Sequence, residues 1–148
     1  MKQGDIVAAL GQAQPTWVEL APGLEVMARP LQLNDEFVAV TARTAQACAE
    51  ALTRDGWLCT LTTPKVEDMI YAQAALKPEP VLLNASQVNI ASDAAIADHS
   101  KKLAARIGPQ APGTLIACGK SWVLTNGLLT HPGKAANYGF FSVSAPYK

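Results

Sequence analysis

The sequence predicts an α+β fold. One domain spans residues 1–148, with three to four helices packed on a mainly antiparallel sheet. Three observations carry this expectation. Helical apolar periodicity dominates the middle of the chain, β-forming stretches dominate both ends, and no repeat, low-complexity tract or long linker divides the 148 residues. A chain of this length buries roughly 68–70% of the surface its unfolded form exposes, so neither disulfide nor metal is needed for it to fold.

The elements follow in order. "GDIVAALGQ" reads as a short helix with Ile6, Val7 and Leu10 on one face and Asp5 near its start; Pro15 ends it. "TWVELAPGLEVMARP" reads as two strands around a Pro22–Gly23 turn, because glycine takes the positive φ of a type II turn without a steric cost. "EFVAV" is a third candidate strand. "TARTAQACAEALTRDGW" is a helix capped by Thr41 and closed by Gly56, with Cys48 and Leu52 on one face. "WLCTL" is the next candidate strand. "TTPKVEDMIYAQAAL" is a helix with Thr63 as cap, Pro64 in its first turn, and a stripe of Val66, Met69, Ile70 and Ala74. Glu67 and Asp68 read as its solvated edge.

"KPEPVLL" is an extended connector, since each proline disfavours helix in the residue before it. "SDAAIADHSKKLAARIG" is the best-marked helix, capped by Ser92, with Ile96, Leu103 and Ile107 inward and basic residues toward its negative end. "GPQAPG" breaks the chain. "TLIACGKSWVLTN" then reads as a hairpin or two consecutive strands, and "NYGFFSVS" as the last strand.

Composition bounds the function classes. Twelve Lys+Arg balance twelve Asp+Glu. The resulting zero net charge exerts no global pull toward nucleic acid or an anionic membrane, and it favours self-association into a homo-oligomer or larger assembly. No apolar run approaches the roughly 18 residues of a membrane span. "MKQGDIVAALGQAQ" has one lysine and no long apolar core, so no signal peptide is expected and a cytoplasmic location is. Release by lysis or non-classical export would leave no mark in the sequence. Cys48, Cys59 and Cys118 form no CxxC and lack histidines at zinc spacing. They read as free thiols in a reducing compartment, although a Cys48–Cys59 bridge is geometrically conceivable. No metal and no cofactor is expected. "NAS" at 84–86 matches a glycosylation acceptor, which matters only in a secretory pathway.

The run "LTTPKVEDMIYAQAALKPEP", with His99 on a later helix, Lys120 on a strand and a closing "YG" at Tyr138–Gly139, resembles a group of bacterial proteins. That group carries an "LPTxKxVDxIYxQAxVKLxP" segment and a "YGW"-type motif. The matching residues are Thr63, Asp68, Ile70, Tyr71, Ala74, Lys77, Pro78, His99, Lys120, Tyr138 and Gly139. The resemblance touches the last two-thirds of the chain in patches and implies no activity. Members of the group have a further polar motif after the "YGW" segment, and a site that needed it would be incomplete in these 148 residues.

Two functional expectations remain. The first is a small hydrolase acting on cell-envelope peptide or polysaccharide. His99, on the buried stripe of its helix, would serve as general base, and Cys118 or a water as nucleophile. Lys120 would lower the thiol's pKa, and Asn137 and Tyr138 would position substrate. Against it, a core histidine is the favoured reading of His99, and a small buried apolar residue that of Cys118. The second is a non-catalytic assembly or binding module of a bacterial or phage structure, with Trp17, Trp57 and Trp122 as core or interface anchors. His131, beside Pro132 and Gly133, reads as a loop residue with no neighbour to orient its ring. "HPGKAAN" fails as a zinc-peptidase segment because Asn137 stands where a ligand carboxylate is needed.

Overall fold

The structure is a computed structural model and describes residues 3–10, 15–33, 36–81 and 92–139. Among these residues there are four α-helices: α1 (Gln3–Leu10), α2 (Ala42–Ala51), α3 (Pro64–Gln73) and α4 (Asp93–Ile107). Three two-stranded antiparallel sheets accompany them: β1 (Trp17–Ala21) with β2 (Leu24–Met27), β3 (Gln32–Leu33) with β4 (Glu36–Phe37), and β5 (Ser121–Val123) with β6 (Ala136–Tyr138). The class is α+β as expected, but among the described residues the strands do not form one continuous sheet. The strands pair only locally, as separate hairpins.

Local chemistry starts α2, α3 and α4 where the sequence indicates. Thr41, Thr63 and Ser92 are extended residues whose hydroxyls accept the N–H groups of Thr44, Val66 and Ala95. Each satisfies one of the donors a helix start leaves unpaired. Pro64 occupies the first turn of α3, where its lack of an N–H has no consequence. Gly23 takes φ 74° between β1 and β2, as the turn requires. Several boundaries differ: α3 stops at Gln73, and of "TLIACGKSWVLTN" only Ser121–Val123 is a strand. Helix α2 ends at Ala51 with Leu52 as its cap, so Gly56 serves a tight turn closed by the Arg54–Trp57 bridge instead. "WLCTL" forms no strand. "EFVAV" shortens to Glu36–Phe37, and a 3-10 turn at Asn126–Thr130 adds to the expected elements.

Three apolar clusters hold these pieces. Ile6, Leu10, Leu33 and Cys48 join α1 and α2. Leu20, Val26, Ala74 and Leu115 join the β1–β2 hairpin to α3, with Val66, Met69 and Ile70 packed alongside. Phe37, Val81, Leu103, Ile107 and Ile116 form the third around α4. The β3–β4 hairpin bridges two of them, because Leu33 enters one cluster and Phe37 another.

The segment 114–118 links the other pair. Its backbone pairs with Ala28 on one side and with Ala75–Leu76 on the other: Ile116 N–H donates to the Ala28 carbonyl at 2.8 Å, and Ala117 N–H to that of Leu76 at 3.0 Å. The period-2 rule then sorts its side chains. Leu115 and Ala117 pack on the α3 cluster, while Ile116 and Cys118 pack on the α4 cluster. No long ladder forms here, yet this extended piece has core on both faces.

Candidate functional site

His99 sits on α4, half-buried. Burial holds its imidazole below the usual histidine range, opposed by Asp98 and by a hydrogen bond with the Val81 backbone. The ring is therefore neutral at neutral pH, the form a general base requires. Cys118 packs against the same cluster that contains Val81. Its thiol is pushed up to about 12 by burial, the direction opposite to the one expected from Lys120. A thiol in that state is a packing group rather than a nucleophile at neutral pH. Lys120 is exposed at the entry to β5.

Asn137 and Tyr138 lie on β6, paired with Trp122 and Ser121 of β5. Asn137 is exposed. The Tyr138 hydroxyl donates to Asp68 Oδ1 at 2.9 Å. Cys118 thus packs on the α4 cluster and His99 bonds the backbone of Val81, one of its members, whereas Asn137 and Tyr138 lie on the β5–β6 hairpin.

That hairpin meets the start of α3 at a polar group the sequence reading assigned to solvent. Glu67 is only 9% exposed. Its carboxyl accepts the Thr62 hydroxyl and a side-chain hydrogen bond from Ser121 of β5. Burial raises its pKa above the usual carboxylate range, with the two hydroxyl bonds acting against that shift and Asp68 adding to it. Thr62 also pairs with Val123, and Leu124 N–H donates to the Thr62 carbonyl at 2.8 Å. Glu67 and Asp68 each therefore send a carboxyl to a different strand of one hairpin. The signal was available: Ile70 and Ala74 lie three and seven residues after Glu67, which puts Glu67 on the same stripe.

Two further groups differ from expectation. His131 is exposed but oriented, with Nδ1 2.8 Å from the Gly127 carbonyl and 3.0 Å from the Thr130 hydroxyl. Ser100, unremarked in the sequence, is buried on α4 and accepts the Phe37 N–H at 3.0 Å. All three cysteines are free thiols. Among the described residues no cluster of three or more His, Cys, Asp or Glu could hold a metal ion, and no helix is long and apolar enough to cross a membrane.

Compared with protein-family models, with curated proteins and with solved structures, the chain matches none.

Proposed function

We propose that this protein is a non-catalytic assembly module that associates with further copies of itself. The observation that carries this reading is the exposure of large apolar side chains on two stretches that join at Thr62 and Val123. Leu58 and Leu129 are each 84% exposed, with Trp57 and Leu124 partly so. Leaving side chains of this size in water forgoes roughly 1.5–3 kcal/mol each relative to full burial, which a mating surface recovers. Zero net charge adds no repulsion between copies. The catalytic alternative lacks an activated thiol at Cys118.

Sedimentation equilibrium tests the proposal. Wild-type protein should show concentration-dependent self-association. The double variant Leu58→Ser, Leu129→Ser should be monomeric with an unchanged melting temperature, because surface substitutions move stability by no more than about 0.5 kcal/mol. A wild type that stays monomeric at its highest soluble concentration overturns the reading, as does a double variant that still associates.

One observation favours the hydrolase reading as a second: the neutral, half-buried His99 bonded to Val81. Turnover of cell-envelope peptide or polysaccharide by wild type, lost in a folded His99→Gln variant, would support it. Equal turnover by both would remove His99 from the chemistry.

A further inference from the structure

We propose that the groove between the β2–β3 connection and the 108–113 turn binds a small carboxylate with an apolar body. The half-open groove holds about 290 Å³, close to the lower end of volumes that hold small ligands. Its walls are fixed by backbone pairing. Ala28 N–H donates to the Thr16 carbonyl at 2.8 Å, which extends the β1–β2 hairpin and sets Thr16 on one wall. A Cβ built on Gly113 would lie 3.9 Å from Thr16 Cγ2, so the opposite wall touches the first at this point. Gln110 Nε2 donates to the Ile107 carbonyl at 2.9 Å, which ties the turn to the end of α4.

The lining is divided in character. Pro15, Met27, Pro30 and Leu31 give apolar surface. Among the described residues Arg29 is the one charged residue of the lining, and none of them brings a carboxylate to it. Among the described residues Arg29 makes no ion pair; one Nη2 hydrogen bond of 3.3 Å reaches the Ala111 carbonyl across the groove. A guanidinium has five N–H donors in a planar fork matched to a carboxylate. Here one donor is spent on a long bond, and among the described residues no acid pairs with the fork. Charge complementarity therefore selects an anion, the planar fork selects a carboxylate, and the proline, methionine and leucine surfaces select an apolar remainder. Gln32 and Gln110 add amide groups at the rim.

The test is an NMR titration of the ¹⁵N-labelled full chain with N-acetyl-leucine and, in parallel, with N-acetyl-leucinamide, which lacks the charge. The acid should give saturable shifts at the amides of Arg29, Leu31, Gln32 and Gln110, with affinity at least ten-fold above that for the amide. Arg29→Gln should abolish the preference, and Arg29→Lys should keep part of it. Thr16→Asp, an exposed change that places a like charge on the wall, should abolish acid binding in a chain with intact Arg29. That variant keeps the proposal testable if Arg29→Gln fails to fold. No saturable shift, equal affinity for both probes, or an unaltered preference in a folded Arg29→Gln or Thr16→Asp chain overturns it.

Discussion

At the scale of single residues, titratable groups report burial more directly than chemistry. Glu67 has a folded-state pKa above its unfolded value. Below the unfolded value both states hold the proton and the group contributes nothing. As pH rises through the window between the two values, the unfolded chain loses its proton first, so stability falls with pH. Glu67→Gln keeps the shape without the charge. Its melting temperature should match wild type below the unfolded value and exceed it increasingly as pH rises through the window between the two values, levelling off above the folded one. A constant difference across that range would mean the carboxyl is not desolvated in solution. Cys118 gives a second expectation. With its thiol near 12, alkylation by iodoacetamide at pH 8 should be about a thousand-fold slower in the folded chain than in the unfolded one. Labelling of Cys118 in native protein at the unfolded rate would contradict its burial.

At the scale of elements, hairpins and helices are joined by a few defined bonds. The Ser100 hydroxyl on α4 receives the Phe37 N–H of β4, and both residues are buried. Ser100→Ala removes the acceptor and leaves that N–H unsatisfied, at a cost of about 1–3 kcal/mol by urea denaturation. A loss below about 0.5 kcal/mol would show that β4 is not docked on α4 as described. The same logic explains why "WLCTL" is no strand. The backbone bonds described for it are local, Trp57 with Arg54 and Cys59 with the Thr53 hydroxyl, Leu58 points into solvent, and a strand without a paired neighbour has nothing to hold it extended. The neighbouring Arg54 instead lies over the rings of Trp17 and Trp57 at 5.1 and 5.7 Å and pairs with Glu25 at 2.6 Å. The guanidinium thus clips the loop to the β1–β2 hairpin. The contact is exposed, so its contribution is on the order of 1 kcal/mol or less.

At the scale of the molecule, three small clusters replace one large core. They are connected by the β3–β4 hairpin, through Leu33 and Phe37, and by residues 115–118, whose alternate side chains enter two clusters. This connection makes cooperative unfolding the expected behaviour. Tryptophan fluorescence and far-ultraviolet circular dichroism should give coincident denaturation curves. Two separated transitions would mean that the α1–α2 cluster opens independently of the rest.

The sequence by itself determined the features that depend on a few neighbouring residues. Thr41, Thr63 and Ser92 start their helices, Pro64 fits a first turn, and Gly23 turns β1 into β2, because each effect acts within four residues along the chain. The inward stripe of Val66, Met69, Ile70 and Ala74 was legible for the same reason. Only the tertiary structure decided which strands find partners, since pairing depends on what lies across the gap. It also decided where polar groups end up. Glu67 and Ser100 were readable as charge and hydroxyl, and their stripe positions were readable too. What the sequence did not hold was the bonding that makes their burial tolerable: Ser121 for Glu67, and Phe37, sixty-three residues distant, for Ser100. A buried polar side chain is stable only where such a partner meets it, and that meeting is a property of the folded chain.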